Sequence, residues 1–279
     1  MQKFKYLLIL FILALIIFVA SNLDIYSIDS RSMENTLLVG DRVIIKKFPR
    51  RGKSLRNGNT DIENLNGKIL VFQNQEYQID KYFIKRCIAS PGDTLYCSQN
   101  ETFINGVVQC FPFERKYLIY TSTTKENQLY DFAYSHDINI TKFSSGNFNL
   151  LLTESMIDSL KFEGLIKKFS YIYKSNSDKK NCIYTPPGMV MPKKGDLNRE
   201  KSGRKFGLCY EENEDKEFVQ ANYYFMMGDN RPISIDSRDW GIISEYQIVG
   251  KAILVLFSID NRLKGFRKIR LTRIFKGIK

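Results

Sequence analysis

An uncharged, strongly apolar segment lies near the N-terminus. Two lysines precede residues 6–20, which carry no charge, and the first acidic residue is Asp24. About 17–20 apolar residues cross the hydrocarbon core of a bilayer as a helix. Lysines before such a segment favour a cytoplasmic N-terminus, so we predict a cytoplasmic tip and transmembrane anchor over residues 1–23. A cleavable signal peptide ending near Ala20 is the alternative. Both interpretations place the chain after residue 23 outside the cytoplasm.

Short apolar runs separated by turn residues follow this segment. Runs at residues 43–45, 69–72 and 82–84 have the length and composition of buried strands, and a longer run covers residues 248–257. The pair Asn105-Gly106, flanked by apolar residues, predicts a β-hairpin. The pattern therefore predicts a mostly β domain built from residues 24–110 and 219–279.

The pattern changes between residues 111 and 218, where aromatic residues are scattered among Lys, Asn and Ser. A helix is predicted from Thr153 to Phe169, because its apolar residues recur at intervals close to 3.6. We interpret residues 111–218 as an inserted accessory domain of the α/β type.

The net charge of the chain indicates which kind of partner it would bind. The 279 residues carry a formal net charge of +12, which suggests an acidic partner such as nucleic acid or anionic lipid. Residues 262–279 contain eight Lys or Arg and no acidic residue. This tail is interpreted either as a basic amphipathic segment on lipid or as a surface element packed on the body.

Cysteine and histidine usage argues against a metal site. No Cys-x-x-C pair is present among the five cysteines, and His136 is the single histidine, so a zinc ribbon or a His-based zinc hydrolase is not expected. We predict no cofactor and no metal. Cys97 and Cys110 are able to pair across the hairpin, and Cys182 and Cys209 form a second possible disulfide. Cys87, in an apolar strand, is expected to be a small buried residue.

With a single histidine in the chain, lysine is the remaining candidate for the general base of a serine nucleophile. Ser-Lys pairs are known variants of the catalytic triad. A lysine base must be neutral, and burial lowers a lysine pKa from near 10.4 to roughly 7–8. Lys85 follows an apolar strand pattern, although a solvated lysine on an edge strand has the same pattern. Ser30 and Ser32 would face one side of an extended segment, although two serines in a turn are also an ordinary cap.

A dense polar run, residues 228–238, follows the apolar run 223–226 and indicates either a site or a polar turn. Together with the serines and the lysine, it completes an ordered set of motifs that resembles the type I signal peptidases, which are membrane proteases with a Ser-Lys dyad. The motifs are Ser30-Arg31-Ser32-Met33-Glu34-Asn35-Thr36-Leu37, Lys85-Arg86-Cys87-Ile88-Ala89-Ser90-Pro91-Gly92-Asp93, Asn105-Gly106, Gly228-Asp229-Asn230-Arg231, Ser234, Asp236-Ser237-Arg238 and Trp240-Gly241.

The resemblance implies a signal-peptidase-like antiparallel β catalytic domain after one transmembrane helix. It also implies removal of signal peptides from exported preproteins after small residues, at the outer face of the cell membrane. Signal peptides and membrane lipid would be the partners, and nucleic acid would not. By this resemblance Ser32 would be the nucleophile, Lys85 its general base and Ser30 a donor to the oxyanion. Ser234 would orient Lys85, and Asp236 and Arg238 would brace the loop. The substrate pockets would be lined by Met33, Leu37, Phe83 and Ile84.

Two positions differ from the family pattern. Asn35 stands where proline is usual, and Arg31 stands where glycine is frequent between the two serines. Three further functions remain open from the sequence: a specialised relative that matures one exported substrate such as a conjugation pilin, a self-cleaving Ser-Lys repressor that binds DNA, and an inactive membrane-anchored binding module. The apolar N-terminal segment argues against the repressor, and the presence of both Ser32 and Lys85 argues against the inactive module.

Overall fold

The computed structural model describes residues 6, 10, 21–48, 65–74, 81–98, 101–110, 114–172, 189–191, 193 and 221–278. Within these ranges no helix is long and apolar enough to cross a membrane. Most of the predicted anchor, and the cysteines at 182 and 209, lie outside the described residues.

Strands dominate the described part of the chain. The strands are β1 Leu23–Ser27, β2 Asp41–Lys47, β3 Ile69–Gln73, β4 Tyr82–Ala89, β5 Thr94–Ser98, β6 Glu101–Ile104, β7 Val107–Val108, β8 Lys116–Ser122, β9 Ile140–Ser144, β10 Asn147–Thr153, β11 Phe169–Ile172, β12 Met189–Val190, β13 Tyr223–Met227, β14 Ile243–Ser244, β15 Ile248–Ser258 and β16 Lys276–Gly277. The helices are α1 Glu126–Ser135, α2 Glu154–Phe162 and α3 Ser237–Trp240.

The largest sheet carries both ends of the described chain. Its strand order is β1-β2-β15-β3-β4-β13-β14, with β16 paired to β15, and every pairing is antiparallel. Apolar side chains alternate along the strands and form two buried clusters, one around Val43 and Ile69 and the other around Phe72 and Tyr224. This arrangement confirms the predicted mostly β, antiparallel architecture.

A second sheet lies in the predicted insertion. Strands β11-β8-β10-β9 pair in that order, and α1 and α2 pack on the sheet through a separate apolar cluster that includes Phe148 and Leu160. We call residues 114–172 the accessory unit. The outer bounds of the insertion, 111–218, stay a prediction.

The helix predicted from Thr153 to Phe169 is too long. Thr153 does cap α2, since its hydroxyl accepts a hydrogen bond from the Met156 N–H. The helix ends at Phe162, because Gly164 takes a left-handed φ of 65° that reverses the chain. The apolar residues beyond this turn still pack into the core of the accessory unit, which explains why their spacing imitated a continued helix.

The third sheet has the order β12-β5-β6-β7. Its hairpin turns at Asn105 and Gly106, both of which have positive φ, as the Asn-Gly signal predicted. Strand β12 falls inside the predicted insertion but pairs with β5, so this part of the 111–218 range joins a sheet that belongs to the residues on its N-terminal side.

The cysteines of the described residues are not bridged. Cys87, Cys97 and Cys110 are free, so the possible disulfide across the hairpin is not formed. Cys97 is buried beside Thr102 on the paired strand, whereas Cys110 is exposed beyond the end of β7. Cys87 is fully buried as expected, and burial raises the pKa of its thiol to about 12.

The basic tail packs on the body. Arg262 and Arg270 form ion pairs with Asp260 at 3.0 and 2.8 Å, and hydrogen bonds from Arg262 hold the pKa of Asp260 well below its usual range. Arg273 pairs with the buried Asp41 of β2. The structure therefore agrees with the second interpretation, in which the tail is a surface element packed on the body. Phe266, Leu271 and Phe275 nevertheless remain exposed. Contact of the tail with lipid stays a prediction.

Candidate active site

Ser32 lies on a tight turn that begins a few residues after the end of β1. Residues Arg31–Met33 form a 3-10 turn, and Ser30 precedes it in an extended conformation. The sequence predicted an extended segment through both serines, and the turn replaces it because Met33 is drawn into the core, where it is 1% exposed. The turn nevertheless brings the two hydroxyl oxygens to 3.1 Å.

Lys85 reaches this turn from β4. Its side chain is almost completely buried, and its Nζ donates a hydrogen bond to Oγ of Ser32 at 2.6 Å. A lysine removed from water in this way is more easily kept neutral. The structure therefore brings together a hydroxyl and an amine that are 53 positions apart in the sequence, at the distance that proton transfer requires.

The loop after β13 closes against the back of the serine turn. The N–H of Asn230 donates to the carbonyl oxygen of Ser32 at 2.9 Å. A Cβ on Gly228 would overlap Oγ of Ser234 and come within 2.6 Å of the same Ser32 carbonyl oxygen. Only glycine fits here without displacing either group, so Gly228 allows Ser234, which is fully buried, to lie directly behind the turn.

Two buried ion pairs hold this loop. Arg86, which follows Lys85 on β4, binds Asp229 through Nε and Nη2, both at 2.8 Å. Arg238 binds Asp236 in the same two-pronged way at 2.8 Å, as predicted from the sequence. Asp236 also accepts the Gly228 N–H at 3.0 Å and caps α3. Paired, hydrogen-bonded charges of this kind fix loop geometry.

The Ser-Pro-Gly-Asp segment builds a turn. The Asp93 carboxylate accepts hydrogen bonds from the Ser90 N–H and from the side chains of Asn66 and Asn105 at 2.7–2.9 Å. Asp93 therefore joins the turn after β4 to the Asn-Gly hairpin and keeps the end of the lysine strand in place.

The predicted pocket residues divide between the two faces of the large sheet. Met33 and Leu37 are buried in one apolar cluster, against which Ile84 packs. Phe83 lies in the other cluster, stacked on Phe72 at 5.9 Å. Residues that alternate on a strand point to opposite faces, so the neighbours Phe83 and Ile84 do not line one wall.

Part of strand β4 beside Lys85 has no described strand along one of its edges. Strand β13 pairs with β4 only at residues 86–89, so no described strand covers the Tyr82–Lys85 part of that edge. An extended peptide is able to add to such an edge by backbone hydrogen bonds.

Sequence reasoning missed three contributors around the serine. Glu34 binds Arg31 and the Asn230 side chain, and Thr36 donates to Asp229. Arg86 binds Asp229 and, like Glu34 and Thr36, was noted only as part of a motif. Its position offered a signal, because an arginine next to a buried lysine on a strand faces the other way and needs a carboxylate partner.

His136 lies at the end of α1, outside the contact between Ser32 and Lys85. His136 is exposed and stacks on Phe132 of α1, with ring centroids 4.2 Å apart. Among the residues with a described position, no cluster of three or more His, Cys, Asp or Glu is placed to hold a metal ion.

The family model described as "Signal peptidase, peptidase S26" matches residues 1–257. The chain belongs to this family. It is therefore a hydrolase of the signal peptidase class, a family of membrane-associated serine proteases that remove signal peptides.

Curated relatives agree with this assignment. The chain is 30% identical to "Signal peptidase I" of Aquifex aeolicus (strain VF5) over 240 residues, which cover 84% of this chain and 75% of that protein. It is 28% identical to "Signal peptidase I" of Buchnera aphidicola subsp. Schizaphis graminum over 274 residues, 89% of this chain and 73% of that protein. "Signal peptidase I P" of Bacillus subtilis subsp. natto is 27% identical over 236 residues, 84% of this chain and 77% of that protein.

Proposed function

We propose that this S26 peptidase is a single-pass membrane protein in which Ser32 cleaves signal peptides with Lys85 as its general base. The observation that carries the proposal is the 2.6 Å contact between Lys85 Nζ and Ser32 Oγ, beside the edge of β4 that no described strand covers. Nucleophile and base within hydrogen-bond reach form the arrangement that acyl transfer requires.

The reaction follows from the two groups. The neutral amine of Lys85 takes the hydroxyl proton of Ser32 as Oγ attacks the peptide carbonyl carbon. The resulting ammonium gives this proton to the leaving amine, and an ester between the substrate acyl group and Ser32 remains. The amine, neutral again, then removes a proton from the water that attacks the ester. The ammonium returns this proton to Ser32 Oγ as the ester bond breaks and the carboxylic acid product leaves.

Ser30 and the start of the 3-10 turn provide donors for the oxyanion. The first N–H groups of such a turn have no partner within it, and Ser32 contributes one of them. The Ser30 hydroxyl is 3.1 Å from Ser32 Oγ, close enough to donate to an oxygen on the attacked carbon. Donors set in place before charge develops give a large part of the rate enhancement in acyl transfer.

Ser234 acts as the group that orients the lysine. Its support is the position of its Oγ against Gly228 and behind the Ser32 carbonyl, together with its full burial. The Asp236–Arg238 pair braces the loop that carries it. Ser234, Asp236 and Arg238 maintain the arrangement of the site, and none of them takes part in the bond changes.

The substrate binds as an added strand along Tyr82–Lys85, with its small side chains near Ser32. Met33, Leu37 and Ile84 form the floor on one side of β4, and Phe83 contributes from the other. Their burial leaves little depth, which favours small residues before the cut because a larger side chain would clash.

Residues 1–23 anchor the enzyme with its N-terminus in the cytoplasm and its catalytic part outside. The support is the uncharged run after two lysines and the start of β1 at Leu23. The short connection keeps Ser32 near the membrane surface, where signal peptide cleavage sites emerge. A specialised pilin-maturing role finds no support among the relatives, and the family match from residue 1 onward disfavours a repressor.

The test is cleavage of a membrane-inserted preprotein by the full-length chain and by Ser32→Ala and Lys85→Ala. Loss of at least about a thousandfold in kcat is expected for each, because both act in the same step. Ser122→Ala and Lys68→Ala, at exposed positions, are the matched controls and should cleave normally. Retained activity in either dyad variant would overturn the proposal.

A further inference from the structure

The accessory unit touches the serine turn through one short loop. Residues 137–139 follow α1, and the side-chain oxygen of Asn139 accepts a hydrogen bond from Nη1 of Arg31, the residue directly before Ser32. Asp137, in the same loop, forms an ion pair with Arg262 at 2.8 Å. Two arginines from the other part of the chain therefore hold this loop, and one of them is adjacent to the serine.

Glu34 is the centre of the contact. Arg31 donates to its Oε1 through Nε and Nη2 at 3.0 and 2.6 Å. Lys116, at the start of β8, lies 3.5 Å from its Oε2. The Asn230 side chain donates to the same Oε2, and also to the Arg31 carbonyl oxygen, at 3.1 Å in both cases. The accessory unit and the loop after β13 therefore meet on one carboxylate beside the serine.

A single exposed ion pair contributes little to stability, typically about 0–1 kcal/mol. The Arg31–Glu34 contact differs because its carboxylate is 14% exposed and is shared by three partners. Shared networks of this kind restrict geometry more than isolated pairs do. Their effect falls on the backbone of residues 31–34, which includes Ser32.

We propose that the accessory unit positions the nucleophile. Asn139 and Lys116 fix the Arg31–Glu34 pair, and this pair sets the orientation of Ser32 toward Lys85. The inference rests on the proposed function, since it requires Ser32 to be the reacting group. Arg31 and Glu34 are positioning residues, and the accessory unit acts through them on the rate of the chemical step.

The test compares kcat and KM for a soluble signal peptide substrate using the full-length chain. In the double variant Asn139→Ala, Lys116→Met we expect kcat to fall roughly tenfold. A 1 Å misplacement of reacting groups costs about a hundredfold, and the loss of two supporting contacts should move Ser32 by less than that. KM and the shape of the pH profile should not change, since the floor of the pocket and the base are intact. Asn139→Asp in the Lys116→Met background should recover kcat, because its carboxylate accepts from Arg31.

Asp158→Asn is the matched control, since Asp158 forms an exposed ion pair with Lys161 on α2 of the same unit at 3.1 Å. Its kcat should equal that of the wild type. Wild-type kcat in the double variant, or an equal loss in the control, overturns the inference. If Ser32→Ala is inactive while the double variant is fully active, the inference fails and the proposed function stands. If Ser32→Ala is active, both fail.

Discussion

At the scale of single residues, the proposed chemistry depends on an amine that can release and take up one proton. Lys85 is 5% exposed and contacts the Ser32 hydroxyl, so burial favours its neutral form and the contact gives that form a proton to accept. Arg86 has a different role on the same strand, because its guanidinium is bound to Asp229. Adjacent residues of one strand therefore place the proposed base and a structural ion pair on opposite faces.

This chemistry predicts that activity rises with pH. Below the pKa of the lysine most of the enzyme carries an ammonium, which cannot accept the serine proton. We therefore expect kcat/KM for a soluble peptide to increase from about pH 6 and to level off above the lysine pKa. Lys68→Ala, with an exposed lysine removed, should show the same curve. A profile that is flat from about pH 6 to about pH 10 would contradict a lysine base.

At the scale of elements, strands and short turns were predictable and contacts between distant elements were not. The strands around residues 43–45 and 69–72 and the Asn105-Gly106 hairpin follow from local periodicity and turn chemistry. The end of α2 was missed because apolar spacing continues past Gly164. The Arg31–Asn139 contact spans 108 positions, and nothing local indicates it. Ser32 and Lys85 were singled out because their motifs occur in a recognisable order.

The loop after β13 gives a prediction at this scale. Gly228→Ala introduces a Cβ that overlaps Ser234 Oγ and crowds the Ser32 carbonyl oxygen, so the loop must move away from the serine turn. We expect kcat to fall by roughly a hundredfold, measured on a soluble peptide with folding checked by thermal unfolding. Gly277→Ala is the matched control, because a Cβ there meets nothing within 4 Å. Equal activity of the two variants would show that close packing at Gly228 is unimportant.

At the scale of the whole molecule, the site is assembled from parts distant in the sequence. The large sheet supplies the serine turn and the lysine strand, the loop after β13 supports them from behind, and the accessory unit touches the turn from the side. The predicted anchor is joined directly to β1, and the serine follows β1 within a few residues. A short tether to the membrane raises the effective concentration of enzyme at membrane-inserted substrates.

The tether predicts different behaviour toward two kinds of substrate. A variant lacking residues 1–23 should cleave a soluble peptide at close to the full-length rate, because the reacting groups all lie beyond the deletion. The same variant should process a preprotein inserted in vesicles more slowly, by about tenfold or more, since the effective concentration is lost. Equal processing of the vesicle-inserted preprotein by both forms would refute the tethering argument.

The most direct test of the central claim is to identify the residue that carries the acyl group during turnover. The full-length enzyme is mixed with a peptide substrate and quenched in acid within one turnover, and its digest is mapped by mass spectrometry. The N-terminal part of the substrate should be found as an ester on Ser32 and should be missing in Lys85→Ala. An acyl group on another residue, or the same yield on Ser32 without Lys85, would contradict the Ser32–Lys85 mechanism.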